Sequence, residues 1–128
     1  MRLLIDTHIF IWYILNDSRL ATSVKTSIAA EDTEVLLSVA SLWELAIKHS
    51  HGKLKLKIPF KDLATVELKN NFINILPISP AHTIEVAKLP HFHKDPFDRI
   101  IIAQAITEDL PVLTVDPQFD LYPIKRIP

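Results

Sequence analysis

Four acidic residues stand where apolar runs stop, and their placement suggests a shared metal site. They are Asp6 after LeuLeuIle, Glu44 inside SLWELAIK, Asp98 at the head of DRIIIAQA, and Asp116 after LeuThrVal. A carboxylate at the end of a buried run is partly desolvated, so several that converge must be protonated, separately solvated or held by a cation. A cation held in this way can activate water for hydrolysis. Without the metal, at least one of the crowded carboxylates should take up a proton more readily than a free Asp or Glu.

Two of the acids also have local structural explanations. Asp6 follows a strand-like run and precedes an apolar segment, so it is positioned to cap a helix. Glu44 lies three residues after Ser41, which is the spacing of a capping box, and four residues before Lys48, which favours a helical ion pair. Against these roles, the neighbours of Glu44 are apolar, which indicates a largely buried helix with its acid directed into a cleft.

The segment HFHKDPFDRIIIAQA contains two acids that local physics separates. Asp95 precedes Pro96, and proline is favoured at the first helical position, so Asp95 is the expected N-cap. Asp98 falls on the first helical turn, where the helix N-terminus stabilises its charge. We therefore assign Asp98 to the metal and Asp95 to capping or support. Arg99 is expected in a surface ion pair, with a phosphate contact as the alternative.

Asp116 is followed by Pro117, and an Asp-Pro pair also opens turns. Thr114 has the same strand orientation two residues earlier, so its hydroxyl could orient a carboxylate or a bound water. Asp120 lies deeper in the loop and ranks second as a ligand.

Composition restricts the class of protein. The chain has 128 residues, 48% of them hydrophobic, which is enough for one core and predicts a single domain over residues 1–128. The absence of cysteine excludes disulfides, thiolate zinc sites and cysteine nucleophiles, and it fits a reducing, cytoplasmic setting. No apolar run approaches the roughly 18 residues that span a bilayer, so we expect a soluble protein that does not enter the membrane.

Positive charge is concentrated although the net charge is only −1. Residues 48–61 contain five lysines and two histidines without an acid, and His91, His93 and Lys94 form a second basic group. Both groups could hold phosphates. A solvated face, with lysines alternating against Leu54, Leu56 and Ile58, explains the first equally well.

Short apolar runs alternate with longer segments of helical spacing, which predicts an α/β sheet flanked by helices. The strand candidates cover residues 2–5, 35–38, 73–76, 111–115 and the segment YPIKRI. The helix candidates are SRLATSVKTSIAAED, ASLWELAIKHSHG, FKDLATVELKNN, SPAHTIEVAKL and DPFDRIIIAQAITED. Gly52 is the only glycine, so glycine-rich phosphate loops are excluded.

Four segments in order, LLIDTHIFIW, SVASLWELAIK, HKDPFDRIIIAQA and LTVDPQF, resemble a PIN-domain ribonuclease, specifically a VapC-like toxin of a bacterial toxin–antitoxin pair. The resemblance runs over nearly the whole chain. It implies a three-layer α/β/α sandwich around a parallel sheet of four or five strands. It also implies Asp6, Glu44, Asp98 and Asp116 as the acidic quartet, with the hydroxyls of Thr7 and Thr114 supporting the ligands.

The resemblance implies hydrolysis of RNA phosphodiester bonds with Mg²⁺ or Mn²⁺, which bind through a few carboxylates and the substrate phosphate. Asp6, Glu44 and Asp98 are the expected ligands, Asp116 completes the site, and Lys48 and Arg99 are candidate phosphate contacts. The implied partners are an antitoxin, which offers a basic side chain to the acidic pocket, and a second copy in a homodimer. The apolar segment IFIWYIL, residues 9–15, is either buried in the monomer or covered by a partner.

Three other classes compete with this interpretation. A non-catalytic PIN-like module would bind RNA or protein without cleavage. A phosphoacceptor receiver domain needs an adjacent acidic pair after the first strand, where this chain has Asp6 beside Thr7 and His8. A zinc hydrolase could use the histidines of the two HxH pairs, but no third protein ligand lies nearby in sequence.

Overall fold

Strands and helices alternate along the chain in the computed structural model, which describes residues 1–127. The strands are β1 (Arg2–Ile5), β2 (Glu34–Ser38), β3 (Ile73–Leu76), β4 (Val112–Leu113) and β5 (Arg126–Ile127). The helices are α1 (Thr7–Ile14), α2 (Thr22–Ala29), α3 (Val39–Ser50), α4 (Phe60–Leu63), α5 (Val66–Asn70), α6 (Pro80–Lys88) and α7 (Pro96–Glu108), with a 3₁₀ helix at Pro117–Leu121. None of the helices described within residues 1–127 is long and apolar enough to cross a membrane.

The five strands form one parallel sheet in the order β3-β2-β1-β4-β5. From the central β1, the chain builds outward through β2 and β3, and then crosses to β4 and β5 on the other side. In open α/β sheets such a reversal leaves a crevice at the carboxyl ends of the strands, and ligands bind there. The crevice of this fold therefore lies between β1 and β4.

Both faces of the sheet are covered, which explains why the strands appear as continuous apolar runs. Along β1, Leu3 and Ile5 belong to one buried cluster, whereas Leu4 belongs to the cluster on the opposite face. The first cluster includes residues of α1, α2 and α3, and the second is built on α7. The predicted three-layer α/β/α sandwich with five parallel strands is confirmed.

The predicted helix FKDLATVELKNN is wrong as a single element. It is divided into α4 and α5 because Thr65 leaves the helical region, with φ −132° and ψ −73°. The hydroxyl of Thr65 donates to the carbonyl of Lys61 at 2.6 Å, and bonds of this kind compete with regular helical pairing.

The apolar segment IFIWYIL is largely buried by the chain itself. Ile9, Phe10 and Ile11 are fully or almost fully buried, and Trp12 and Tyr13 pack against the same cluster with partial exposure. Burial within the monomer, one of the two alternatives from the sequence, therefore accounts for most of this segment.

Candidate metal centre

The four predicted acids converge in one cleft at the carboxyl edge of the sheet. The cleft has a volume of about 350 Å³. Its lining residues are Asp6, Thr7, His8, Trp12, Glu44, Asp95, Asp98, Val115, Asp116 and Phe119. We call it the acidic cleft.

Asp6 lies between β1 and α1 and is only 5% exposed. One carboxylate oxygen accepts the backbone N–H of Ile9 at 2.9 Å, so Asp6 is the N-cap of α1. The other oxygen accepts the hydroxyl of Thr114 at 2.5 Å. Burial raises the pKa of Asp6, and these two hydrogen bonds partly oppose that rise. The capping role and a place in the cleft therefore coexist in one side chain.

Glu44 is buried on α3, but the predicted capping box with Ser41 is wrong. The N-cap is Ser38, because β2 leads directly into α3 and the helix begins earlier than the local pattern indicates. The hydroxyl of Ser41 instead accepts that of Thr7 at 2.8 Å. The ion pair of Glu44 with Lys48, at 3.2 Å, is confirmed.

Asp95 is the N-cap of α7 as predicted, and both Asp95 and Asp98 line the acidic cleft. Asp95 accepts the backbone N–H groups of Phe97 at 2.8 Å and of Asp98 at 3.4 Å. Asp98 lies on the first turn and faces the cleft. Its pKa is raised to about 7, first by burial and then by repulsion from Asp95 and the other three carboxylates of the cleft. This raised pKa agrees with the expectation that one of the carboxylates takes up a proton more readily than a free Asp.

Thr114 connects two of the acids. Its hydroxyl donates to Asp6 and accepts the backbone N–H of Asp116 at 3.1 Å. Asp116 caps the 3₁₀ helix that follows, accepting the N–H of Gln118 at 3.0 Å. Asp120 is paired with Arg126 at 2.9 Å and does not line the cleft.

His93 was grouped with basic residues in the sequence, yet it lies beside the acids. It is 6% exposed, and its Nε2 lies 3.4 Å from a carboxylate oxygen of Asp116. His93, Asp98 and Asp116 each offer one ligand atom within 4.8 Å of the others. The sequence signal that could have indicated this place is the position of His93, two residues before the N-cap of α7.

The zinc site built from four histidines is not supported. Within residues 1–127, the cluster of potential metal ligands contains one histidine, His93. His49 stacks on Phe60 instead, with ring centroids 5.7 Å apart, and His51 is exposed.

Arg99 is not in a surface ion pair, and both expectations for it need correction. Its buried guanidinium donates to four backbone carbonyls, at 2.8 to 3.5 Å. The carbonyls belong to Val86, Leu89, Pro90 and His93, and we call them the carbonyl cage. With its donors directed at these carbonyls, Arg99 is a structural residue that holds the segment before α7.

The donor set of the cleft fits a divalent cation. Carboxylate oxygens are the ligands that Mg²⁺ and Mn²⁺ prefer. Within residues 1–127, Lys48 is the one basic side chain within 4.0 Å of Glu44, and burial together with repulsion among the acids raises the pKa of Asp98. A cation would relieve this repulsion.

Comparison with known proteins identifies solved structures with a similar fold. The chain is similar in fold to a chain of VapBC2 from Rickettsia felis bound to a DNA fragment from its promoter, with TM-score 0.75, 19% identity and coverage of 99% of this chain and 98% of that one. It is also similar to DNA-bound VapBC from Salmonella typhimurium, with TM-score 0.66, 22% identity and coverage of 99% and 97%. A toxin-antitoxin complex from Klebsiella pneumoniae matches with TM-score 0.66, 19% identity and coverage of 98% and 96%.

No curated protein matches the chain by sequence. The family model of the PIN domain, in contrast, matches residues 3–125. Because this match spans nearly the whole chain, the protein belongs to the PIN domain family.

Proposed function

We propose that the protein is a Mg²⁺- or Mn²⁺-dependent endoribonuclease that acts as the toxin of a toxin–antitoxin pair. The observation that carries the proposal is the convergence of Asp6, Glu44, Asp98 and Asp116 in one partly buried cleft. Membership of the PIN domain family supports the same reaction class. The acids are spaced over 110 residues of sequence, so packing of a single helix or loop does not explain their meeting.

Asp6, Glu44 and Asp98 are the proposed ligands, with Asp116 completing the site. A bound divalent cation would activate water and offset the charge that develops on the phosphate. Thr114 fixes the carboxylate of Asp6, and Asp95 fixes the start of α7 and hence the position of Asp98. The chain thereby holds its oxygen ligands in place before substrate arrives.

RNA is the proposed substrate, and positive charge beside the cleft supports it. Lys48 lies one helical turn after Glu44 on α3, and the exposed lysines of residues 53–61 continue from it. Lysines that alternate with partly buried apolar residues keep their charges at the surface, where they are able to contact phosphates. Lys48 is the proposed phosphate contact nearest the metal.

The toxin role rests on the likeness to solved toxin–antitoxin complexes. In this proposal an antitoxin inhibits the enzyme by placing a basic side chain in the acidic cleft, and both proteins act in the cytoplasm. A homodimer would bury apolar surface, and one such surface lies along α3, α6 and α7, where Trp43, which is 62% exposed, lines an apolar groove with Val86 and Phe97. Sedimentation of the wild type and of Trp43→Glu tests this, and a monomeric wild type would contradict the homodimer.

The decisive experiment incubates the purified chain with an RNA pool in Mg²⁺, in Mn²⁺ and in chelator, and maps the cut sites. We expect cleavage only with metal, at a restricted set of positions, and its loss in Asp98→Asn. Binding of RNA without cleavage in either metal would contradict the proposal and support a non-catalytic module. Cleavage that persists in chelator or in Asp98→Asn would point to a contaminating nuclease or to different chemistry.

A further inference from the structure

We propose that His93 is a direct ligand of the metal in the acidic cleft, giving the centre a mixed nitrogen and oxygen donor set that favours Mn²⁺ over Mg²⁺. This inference rests on the proposed metal dependence and adds to the four acids a ligand that the sequence analysis considered only for a zinc site of four histidines. It concerns the side of the cleft formed by the segment before α7 and the end of β4.

The positions of the donor atoms fit one ion. A nitrogen of His93 and one oxygen each of Asp98 and Asp116 lie within 4.8 Å of one another. Two ligand atoms bound to the same ion at about 2.1 Å lie about 3 to 4 Å apart, so small side-chain movements are enough to close the site. The distance from Nε2 to the Asp116 oxygen, 3.4 Å, is longer than a normal N–H···O hydrogen bond. The pair is therefore not already joined by a strong hydrogen bond.

The imidazole ring is fixed by its surroundings. Its Nδ1 lies 3.1 Å from the hydroxyl of Tyr122, and the same hydroxyl accepts the backbone N–H of His93 at 3.0 Å. The ring of Phe119 contacts it edge to face, with centroids 5.3 Å apart. When Nδ1 carries the proton and donates to Tyr122, the lone pair of Nε2 is free and directed at Asp116.

This arrangement is the usual one for a histidine that binds a metal. Such histidines donate their second ring N–H to an oxygen, and this bond sets the tautomer and the ring orientation. Imidazole is a better ligand for first-row transition metals than for Mg²⁺, which prefers oxygen and its own waters. A nitrogen donor in an otherwise carboxylate site therefore shifts selectivity towards Mn²⁺.

The first test is pulsed electron paramagnetic resonance of the Mn²⁺-loaded protein, which detects ¹⁴N coupling from a bound imidazole without measuring activity. His8 also lines the cleft, so the spectrum is recorded for His8→Gln as well. We expect ¹⁴N coupling in the wild type and in His8→Gln, and none in His93→Gln. Loss of the coupling in His8→Gln, or Mn²⁺ binding without any coupling in the wild type, would overturn the assignment. The wild type and His8→Gln decide the matter even if His93→Gln does not fold.

The second test compares metal affinities by calorimetric titration. In His93→Gln the Mn²⁺ dissociation constant should rise about tenfold or more while that of Mg²⁺ changes much less. Tyr122→Phe keeps the ring but removes the acceptor for Nδ1, and it should also weaken Mn²⁺ binding, by roughly 10-fold. Equal losses for both metals in His93→Gln would make His93 a positioning residue for Asp116 and overturn its role as a ligand. A wild type that binds no divalent metal would remove the proposed function as well, whereas binding without nitrogen coupling would remove only this inference.

Discussion

Asp98 and Arg99 are adjacent on the first turn of α7, yet they enter opposite kinds of buried surroundings. Asp98 faces the acidic cleft, where burial and then repulsion from neighbouring carboxylates raise its pKa to about 7. Arg99 enters the carbonyl cage, where four oxygens accept from its guanidinium. A buried cation surrounded by acceptors stabilises a fold, whereas buried carboxylates that repel one another destabilise it until a ligand neutralises them.

Within one helical turn, Asp98 therefore belongs to the proposed functional site and Arg99 to the structural framework. Changes in the acidic cleft should reduce activity while leaving or increasing stability. Changes in the carbonyl cage should reduce stability. Activity should then fall only as far as the folded fraction of the protein falls.

The largest effect is expected for Asp6→Asn, which should reduce RNA cleavage on the order of 10³-fold or more by removing a charged ligand. The fold should be intact, because asparagine caps helices as well as aspartate and its amide oxygen can still accept the N–H of Ile9. Cleavage rates and urea unfolding measure the two outcomes on the same protein. A mutant that cleaves at the wild-type rate would remove Asp6 from the site.

Arg99→Lys tests the carbonyl cage. An ammonium group cannot reproduce a planar fork with five donors, so several carbonyls lose their partner and the free energy of unfolding should fall by about 2 to 4 kcal/mol. The matched control is Arg2→Lys, because Arg2 makes only an exposed ion pair with Glu34 at 3.6 Å and should change stability by less than about 0.5 kcal/mol. Equal losses in the free energy of unfolding for the two substitutions would show that the carbonyl cage contributes no more to stability than an exposed ion pair.

The hydroxyl of Thr114 is fully buried and serves both the fold and the acidic cleft, so Thr114→Val should affect both stability and activity. The substitution keeps the shape of the side chain but leaves the N–H of Asp116 without its hydroxyl partner. It also removes one of the two hydrogen bonds that hold the carboxylate of Asp6. We expect a loss of about 1 to 3 kcal/mol in stability and of roughly 10- to 100-fold in cleavage. Thr114→Ser retains the hydroxyl and should retain most of both. A serine variant as impaired as the valine variant would show that the hydroxyl alone does not account for the role of Thr114.

Asp98→Asn should stabilise the metal-free protein at high pH only. The pKa of Asp98 is near its ordinary value in the unfolded chain and about 7 in the folded one, so the wild type loses stability as pH rises from about 4 to 7. Asparagine does not titrate and escapes this loss. Because Asp98 is partly exposed, we expect a gain on the order of 1 to 2 kcal/mol at pH 8 relative to pH 4, measured by urea unfolding in chelator. A difference between the two proteins that stays constant from pH 4 to 8 would show that Asp98 is not crowded.

The start of α7 could be predicted from the sequence, but the carbonyl cage around Arg99 could not. Pro96 at the first helical position and Asp95 before it determine where the helix begins, and this places Asp98 on the first turn. The carbonyls around Arg99 belong to the end of α6 and to the connection between α6 and α7, whose path depends on tertiary packing. The place of His93 beside the acids was missed for the same reason, because its neighbours Asp116 and Tyr122 are more than 20 residues away.

Glu44 shows a different limit. Ser38 and Ser41 are both good caps, and the local spacing favours Ser41 because of Glu44. Ser38 is the N-cap because β2 continues to that residue and the helix follows without a loop. The alternation of short apolar runs with helical segments, in contrast, needs no such long-range information and predicts an α/β sheet flanked by helices. The three-layer sandwich that the family resemblance implies is confirmed.

Calorimetric titration of the wild type and Asp98→Asn with Mn²⁺ tests whether the converging carboxylates form one metal site. We expect saturable binding to the wild type, a matching rise in the temperature of unfolding, and loss of both in Asp98→Asn. A wild type that binds no Mn²⁺, or an Asp98→Asn variant that binds it equally well, would show that these carboxylates do not form a metal site.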